Sequence, residues 1–574
     1  GEGEYKLMKK HNGGTFERWE TKLPLRWKKL GYRFEFLTNH GLMYLNQQGL
    51  NTLAPNDDCD FVHLDEELPV SWLPGSTFYQ IFPDRFFPGD KSRWDELDSY
   101  TYSGKSPTLR PWGEEPRGHE SGGHIDFYGG DLKGIKEKLA YLTEMGIGGI
   151  YLNPIFHAPS NHRYDTQDYR KVDPRLGTNE DFAELVDALH EKDMRVILDA
   201  VFNHVGSGHR WFNKEGFYKE DGAYQQPQDS PYSDYFIFHD GQREHYDCWL
   251  GVKSLPKLDF RSEKLRDEIY AGDDSIGKMW LKPPYNADGW RFDVANMLGR
   301  NGKIQIQQEI WKEMRQHLKE AKEDAYLMGE HFFDPADLLD GDQLDGVMNY
   351  HGFYFPVLRW LTEKEHQTPR DYKGTIPIQF TAEDLSAQMM TAMARVPFKI
   401  AQGQFNVIGS HDTSRILSRL DGNKKHLKIA ALMLMTWPGV PCIYYGDEIG
   451  LTGVGDPACR GCMPWDDKEW DKEIRDWFIE LIQQKKNNQA LAKGGVLPLH
   501  ANNDTFVYGR IHGDEACLIT TNRSQKDKTI TIDLRPLGVT EQKLNSPLSK
   551  TTLEPKDGQI ELQIPAESAD LYVM

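Results

Sequence analysis

The sequence predicts an α/β fold built on a (β/α)8 TIM barrel. An inserted loop-rich subdomain follows strand three, and antiparallel β-domains flank the barrel at both ends. Three observations carry this expectation. Eight short apolar runs alternate with helical segments over roughly 400 residues, the pattern of a closed parallel sheet. A polar, aromatic stretch interrupts the alternation after the third run. Outside the repeat, the hydrophobic period falls to two.

The elements follow in order. Residues 1–70 read as an N-terminal β-domain, with alternating runs such as Tyr32-Arg33-Phe34-Glu35-Phe36-Leu37. Residues 71–490 hold the barrel. Thr77–Pro83 is the first strand, and Leu132, Ile135, Leu139 and Leu142 line a helix closed by Gly146. Ile147–Leu152 is the second strand. Thr178 and Asp181 form a box-like helix start, and Arg195–Phe202 is the third strand. About 206–260 form the inserted subdomain. One helix is expected from Ser262 to Trp280, then a strand through Gly289–Asp293. Further strands are Ala325–Glu330, Leu344–Tyr350, Gln404–Gly409 and Val440–Tyr445, with helices between them. Residues 491–574 read as a C-terminal β-sandwich, through period-two runs such as Thr529–Leu534 and Ile560–Ile564. An open doubly wound sheet is the rival, but no Gly-rich phosphate loop follows the first strand.

Composition narrows the function. The 574 residues are 38% hydrophobic and 27% charged, which suits soluble domains. The net charge of -20 argues against nucleic acid and fits a neutral ligand. No apolar run reaches bilayer length, so no membrane partner is expected. Six scattered cysteines imply no disulfide framework. With no signal-peptide pattern at the start, they point to a cytoplasmic location. Cys459 and Cys462 have metal-hook spacing, but no second pair completes a site.

Barrels of this kind place their chemistry at the C-terminal strand ends. Strand three ends in Asp199, Asn203 and His204; strand four in Arg291 and Asp293; strand five in Glu330 and His331. Strand seven runs into Ser410-His411-Asp412. Three acids at one rim raise one another's cost of charging unless they are used or metal-bound. A zinc, iron or manganese site is the rival, although paired-ligand spacings such as His-Glu-x-x-His are absent. Glycoside hydrolysis needs two carboxyl groups of opposed protonation. Asp293, held ionised by Arg291, is placed to attack the anomeric carbon. Glu330, crowded by acids, is expected to have a raised pKa and to donate the proton. Asp412, His204 and His411 are expected to bind sugar hydroxyls. A carboxylate gap of about 5–5.5 Å would give retention of configuration.

Four stretches, Asp199–His204, Gly289–Asn296, Gly329–His331 and Ile408–Asp412, resemble the four sequence regions of the α-amylase family of glycoside hydrolases (family 13). The resemblance runs from about Thr77 to the C-terminus. Ser254–Leu258 resembles the extra motif of the neopullulanase, cyclomaltodextrinase and maltogenic amylase group. Trp249–Gly251, Glu268–Ile276 and Trp280–Lys282 are similar to bacterial maltodextrin glucosidase.

The resemblance implies Asp293 as nucleophile, Glu330 as acid/base and Asp412 as transition-state stabiliser. It implies Tyr164 as an aromatic platform with His162 beside it, and Asp456 and Arg460 as a substrate-binding pair. It further implies Phe332 as an apolar contact beyond the scissile bond, with Asp199, His204, Arg291 and His411 completing the substrate site. Met297 stands where the neopullulanases have Glu. At the calcium loop Asp90 is matched, but Pro88, Arg93 and Trp94 stand where ligands belong. Asp90 and Asp131 are the calcium candidates, and no cofactor is required. The N-terminal domain resembles a shortened carbohydrate-binding-like module. The implied function is a retaining α-glucan hydrolase cleaving α-1,4 bonds of short maltodextrins to glucose and maltose. One alternative is a neopullulanase or cyclomaltodextrinase with α-1,6 cleavage and transglycosylation. Another is a non-catalytic sugar-binding or scaffold relative, which would lack the acid triad. The partners are maltodextrins or related α-glucans, with room for a homodimer.

Overall fold

The computed structural model describes residues 8–13, 16–22, 28–39, 41–65, 70–94, 100–102, 104–366 and 375–574. Parts of the expected N-terminal domain, including residues 1–7, 23–27 and 66–69, lie outside the described residues. Eight parallel strands close into a barrel: β1 (Phe78–Ile81), β2 (Gly149–Leu152), β3 (Arg195–Ala200), β4 (Gly289–Phe292), β5 (Tyr326–His331), β6 (Gly346–Asn349), β7 (Phe405–Val407) and β8 (Val440–Tyr444). Each strand pairs with the next in chain order, and β8 returns to β1 through Cys442 opposite Phe78. Trp290 and Phe292 are fully buried on either side of Arg291. The Phe292 ring packs 4.9 Å from Trp311 of the outer helix layer. Strand alternation therefore leaves Arg291 on the inner face.

Gly289 is required where β4 meets β5, because a Cβ there would stand 2.2 Å from the Tyr326 carbonyl oxygen. Gly289→Ala forces these strands apart at their entry. It is expected to cost about 1–3 kcal/mol, as overpacking typically does, and urea unfolding would measure the loss.

The helices start where local chemistry dictates. α1 (Leu132–Glu137) is capped by Asp131, and α2 (Leu139–Met145) ends at Gly146 with φ 83°. α3 (Asn179–His190) opens with a capping box: the Thr178 hydroxyl accepts the Asp181 N–H, and the Asp181 carboxylate accepts the Thr178 N–H. The helix expected from Ser262 to Trp280 is broken. It runs Glu263–Arg266, widens over Asp267–Ala271 and stops at Gly272, which is extended at ψ 154°. α4 (Ile276–Leu281) then restarts from Ser275. Gly272-Asp273-Asp274-Ser275 explains the break, since these residues favour caps and turns over helix interior. α5 (Gln307–Ala321), α6 (Ala382–Ala394), α7 (Lys424–Thr436) and α8 (Lys472–Asn487) continue the outer layer.

The insertion after β3 is loop-rich. It is held by aromatic packing around Phe212, whose ring lies 4.7–5.6 Å from Tyr246, Phe236 and Tyr224. N-terminal to the barrel, Lys29–Tyr32 pairs antiparallel with Phe61–Leu64, and Phe34–Thr38 with Gly41–Asn46. C-terminal to it, Gly495–Asn502, Thr505–His512, Glu515–Asn522 and Ser568–Val573 form successive antiparallel neighbours. A second apolar core that includes Val507, Leu518, Leu534 and Leu562 lies in this C-terminal domain. Among the described residues, no helix is long and apolar enough to cross a membrane.

Candidate active site

Arg291 lies at the centre of the rim. Its Nη1 donates to Asp199 at 2.9 Å and to Asp293 at 3.1 Å, and its Nη2 lies 3.1 Å from Glu330. The guanidinium is fully buried, so three carboxylates and one cation share a space closed off from bulk solvent. Arg291, expected to keep Asp293 ionised, also serves Asp199 and Glu330, and the shift at Asp293 runs opposite to that expectation. Burial, then the Glu330 charge, push the Asp293 carboxyl well above its usual range against the pull of Arg291. Asp199 and Asp412 add to that push. The physical reason is that one guanidinium is divided among several acids, so its pull on Asp293 does not offset burial and the neighbouring negative charges.

The chain beyond β4 fixes this pair. Val294 has φ 40°, the left-handed region that a β-branched residue rarely enters. That turn aims its N–H at Glu330 Oε2, at 2.8 Å, while the Ala295 N–H donates to the Glu330 carbonyl at 3.1 Å. Strain of this kind costs about 1–3 kcal/mol and persists where the surroundings over-determine it.

Asp412 follows β7. It lies 3.4 Å from His411 Nε2 and 3.4 Å from Arg460 Nη2. Arg460 also pairs with Asp456 at 3.0 Å, and His119 reaches Asp456 at 3.1 Å. Burial works against the Asp456 charge, but Arg460 and His119 hold its carboxyl down to about 2. Tyr164 bridges the two sides of the rim. Its hydroxyl donates to Asp199 at 3.0 Å and lies 2.7 Å from His411 Nε2. Its ring stacks on His411 at 5.4 Å and 9°. His162 lies beside Tyr164, with ring centroids 6.0 Å apart. Burial lowers His162 to about 4 and both His204 and His411 to about 3, so all three imidazoles are neutral near pH 7. His204 sits against the Trp249 ring at 5.7 Å, and Phe332 packs on Tyr350 at 4.2 Å. The structure thus gathers Asp199, Arg291, Asp293, Glu330, Asp412, His411, Tyr164, His162, Asp456 and Arg460 into one connected network. His204 and Phe332 are held by aromatic partners of their own.

Several supporting residues escaped the sequence reading. Gln80 lies 2.9 Å from His411 Nδ1 and donates to Asn153, which in turn donates to the Tyr164 hydroxyl. Tyr151 donates to Asp199 at 2.6 Å. A signal existed for Gln80, a lone amide inside the apolar first strand. Lys257, within the Ser254–Leu258 motif, donates to the Asn203 side chain and to the Met297 carbonyl. Burial lowers it to about 8. His119 carried no signal, since it lies in a Gly/Pro-rich loop.

The calcium candidates do not fit a calcium cage, which takes six to eight oxygen ligands. The Asp131 carboxylate already accepts three backbone N–H groups, from Gly89, Asp90 and Gly134. Asp90 accepts from Ser92, with Arg93 and Lys133 within 3.8 and 4.0 Å of its other oxygen. Among the described residues, no group of three or more His, Cys, Asp or Glu is placed to hold a metal ion.

Known proteins resemble this chain in sequence and in fold. Residues 80–493 match the alpha amylase catalytic domain model, and 494–572 the alpha-amylase C-terminal domain model. The chain is 33% identical over 541 residues to a cyclomaltodextrinase of Geobacillus thermopakistaniensis, covering 93% of this chain and 84% of that one. It is 31% identical over 529 residues to neopullulanase 2 of Thermoactinomyces vulgaris, covering 90% and 82%. A solved cyclomaltodextrinase structure superposes with TM-score 0.76 at 27% identity, covering 99% of this chain and 90% of the other. With its closed barrel, its C-terminal β-domain and its strand-end acids, this chain is a glycoside hydrolase of the alpha-amylase family.

Proposed function

We propose that the protein hydrolyses short and cyclic maltodextrins with retention of configuration, as a cyclomaltodextrinase or neopullulanase type of enzyme. The observation that carries the chemistry is the pairing of Asp293 and Glu330 on neighbouring nitrogens of one buried guanidinium. Such close spacing suits a retaining pair. The reactive state is the one in which Asp293 is ionised and the proton sits on Glu330; in the first step Asp293 then attacks the anomeric carbon while Glu330 gives its proton to the departing glycosidic oxygen. In the second step the Glu330 carboxylate takes a proton from water, which displaces Asp293. Tyr164 offers its ring beneath the cleaved sugar, and Asp412, fixed between His411 and Arg460, accepts hydroxyls of the distorted ring. His162, neutral at the working pH, and the Asp456–Arg460 pair bind the same residue of the glucan. His204 and Phe332 line the site farther out.

Similarity to a cyclomaltodextrinase and a neopullulanase supports the cyclodextrin and pullulan reading over a maltodextrin glucosidase. Chromatography of products from maltoheptaose, a cyclodextrin and pullulan tests the choice. Ring opening of the cyclodextrin and panose from pullulan are expected. Glucose and maltose from the linear substrate alone would restore the glucosidase reading, and no cleavage of any of the three would favour a non-catalytic relative.

A further inference from the structure

Lys257 is a buried cation with no part in the reaction steps above. It lies in the Ser254–Leu258 motif of the insertion and is 8% exposed. Its backbone has a fixed place. The Ser207, Val205 and Leu258 N–H groups donate to the Ser254, Pro256 and Asn203 carbonyls at 2.8, 3.1 and 3.1 Å, so the motif is laced to the chain leaving β3. The Lys257 N–H donates to the Asp247 carbonyl at 3.0 Å. Burial disfavours the charged form of such a side chain, and hydrogen bonds to the charge must compensate.

Two neutral oxygens supply those bonds. Lys257 Nζ donates to Asn203 Oδ1 at 2.5 Å and to the Met297 carbonyl at 3.1 Å. The first oxygen follows β3 and the second follows β4, so one ammonium ties the insertion to the exits of two barrel strands. Hydrogen bonds from an ionised donor are about twice as strong as neutral ones. On the Asn203 side the bridge reaches His204, whose Nδ1 lies 3.2 Å from the Asn203 amide.

On the Met297 side the bridge leads to the acid/base. The Met297 N–H donates to the Val294 carbonyl at 2.8 Å and closes the turn, and the Val294 N–H holds Glu330 Oε2 at 2.8 Å. Val294, at φ 40°, keeps that conformation only while its surroundings hold it. Inside the barrel the Ala295 N–H on the Glu330 carbonyl does so, with the Gln307 amide on the Ala295 carbonyl at 3.0 Å. From the insertion the hold comes through Lys257. From these contacts we infer that Lys257 is a positioning residue for Glu330: its ammonium grips the Val294–Met297 turn and so keeps the Glu330 carboxyl aimed at the departing oxygen. This inference rests on the reading of Glu330 as the proton donor.

The test compares two aryl maltosides on the full chain. Phenyl α-maltoside has a poor leaving group that needs the proton from Glu330. The dinitrophenolate of dinitrophenyl α-maltoside leaves without one, and both aryl groups occupy the same place. Lys257→Met is expected to lower kcat/KM on the phenyl substrate at least tenfold and on the dinitrophenyl substrate less than threefold. Loss of packing or of substrate binding would lower both alike, so an equal fall overturns the inference, as does no fall on either. Urea unfolding checks that the variant is folded. If it is not, Lys257→Gln, which keeps a neutral donor on a shorter arm, is expected to show the same inequality, and an equal fall there overturns the inference as well. Glu330→Ala, run beside them, is expected to show the inequality on a larger scale. Its absence in Glu330→Ala would mark failure of the reading of Glu330 itself.

Discussion

Asp293→Asn is expected to lower kcat on maltotriose by about 10⁴-fold or more, the scale on which loss of a covalent nucleophile acts. That factor corresponds to about 5.5 kcal/mol of transition-state stabilisation. The variant keeps the shape of the side chain and its contact with Arg291, so folding is expected to survive. It also removes an acid from a crowded set, and a slight gain in stability near neutral pH is the expected companion. The sign follows from the pKa. Asp293 is raised in the folded protein by burial first and by Glu330 next. Its contribution to stability is complete below the unfolded pKa and is lost as pH rises through the folded one. Replacing it with a neutral amide removes that loss. Stopped assays with maltotriose and urea unfolding at two pH values read the two effects separately. Retained turnover above about one-hundredth of the parent would remove Asp293 from the nucleophile's role.

Arg291→Met has the second large effect, this time on the fold. The guanidinium is fully buried and compensates Asp199, Asp293 and Glu330 together. Breaking a buried ion pair from one side typically costs about 3–5 kcal/mol, because charge is left uncompensated. Here the cost is expected to depend on pH. Without Arg291 the remaining carboxyls are pushed further up, so they stay neutral at low pH and become costly as pH rises through their raised values. Urea midpoints of the variant are therefore expected to fall further below the parent at pH 8 than at pH 5. An equal deficit at both values would mean that Arg291 acts through packing alone. A deficit larger at pH 5 would contradict the electrostatic account.

How far the sequence revealed this molecule varies with the range of the interaction. Strands and helices were legible because alternation of period two and 3.6 is a local property, and Thr178 and Gly146 announce helix ends within a few residues. The acids were legible because strand ends of a barrel share one rim. What Arg291 does was only half legible. Its neighbour two residues away, Asp293, is in the strand pattern. The contacts to Asp199 and Glu330 come from adjacent strands and depend on register. Contacts between distant loops left no local trace, as with His119 and Asp456, 337 positions apart. The break at Gly272 was missed for another reason: apolar spacing on either side was compatible with one helix, and the Gly-Asp-Asp-Ser run decided otherwise.

The turn at Val294 has a consequence for how this enzyme tolerates change. Its N–H holds the Glu330 side chain and the next N–H holds the Glu330 backbone, so β4 and β5 clamp the two reacting carboxyls into one body. Thermal displacement of one is therefore transmitted to the other as a shared drift, and the gap between them stays constant. The loop carrying Asp456 and Arg460 is tied to the rim through Asp412 and the His411 carbonyl instead. Substitutions in that loop are therefore expected to be felt at Asp412, while the spacing of Asp293 and Glu330 is left to β4 and β5.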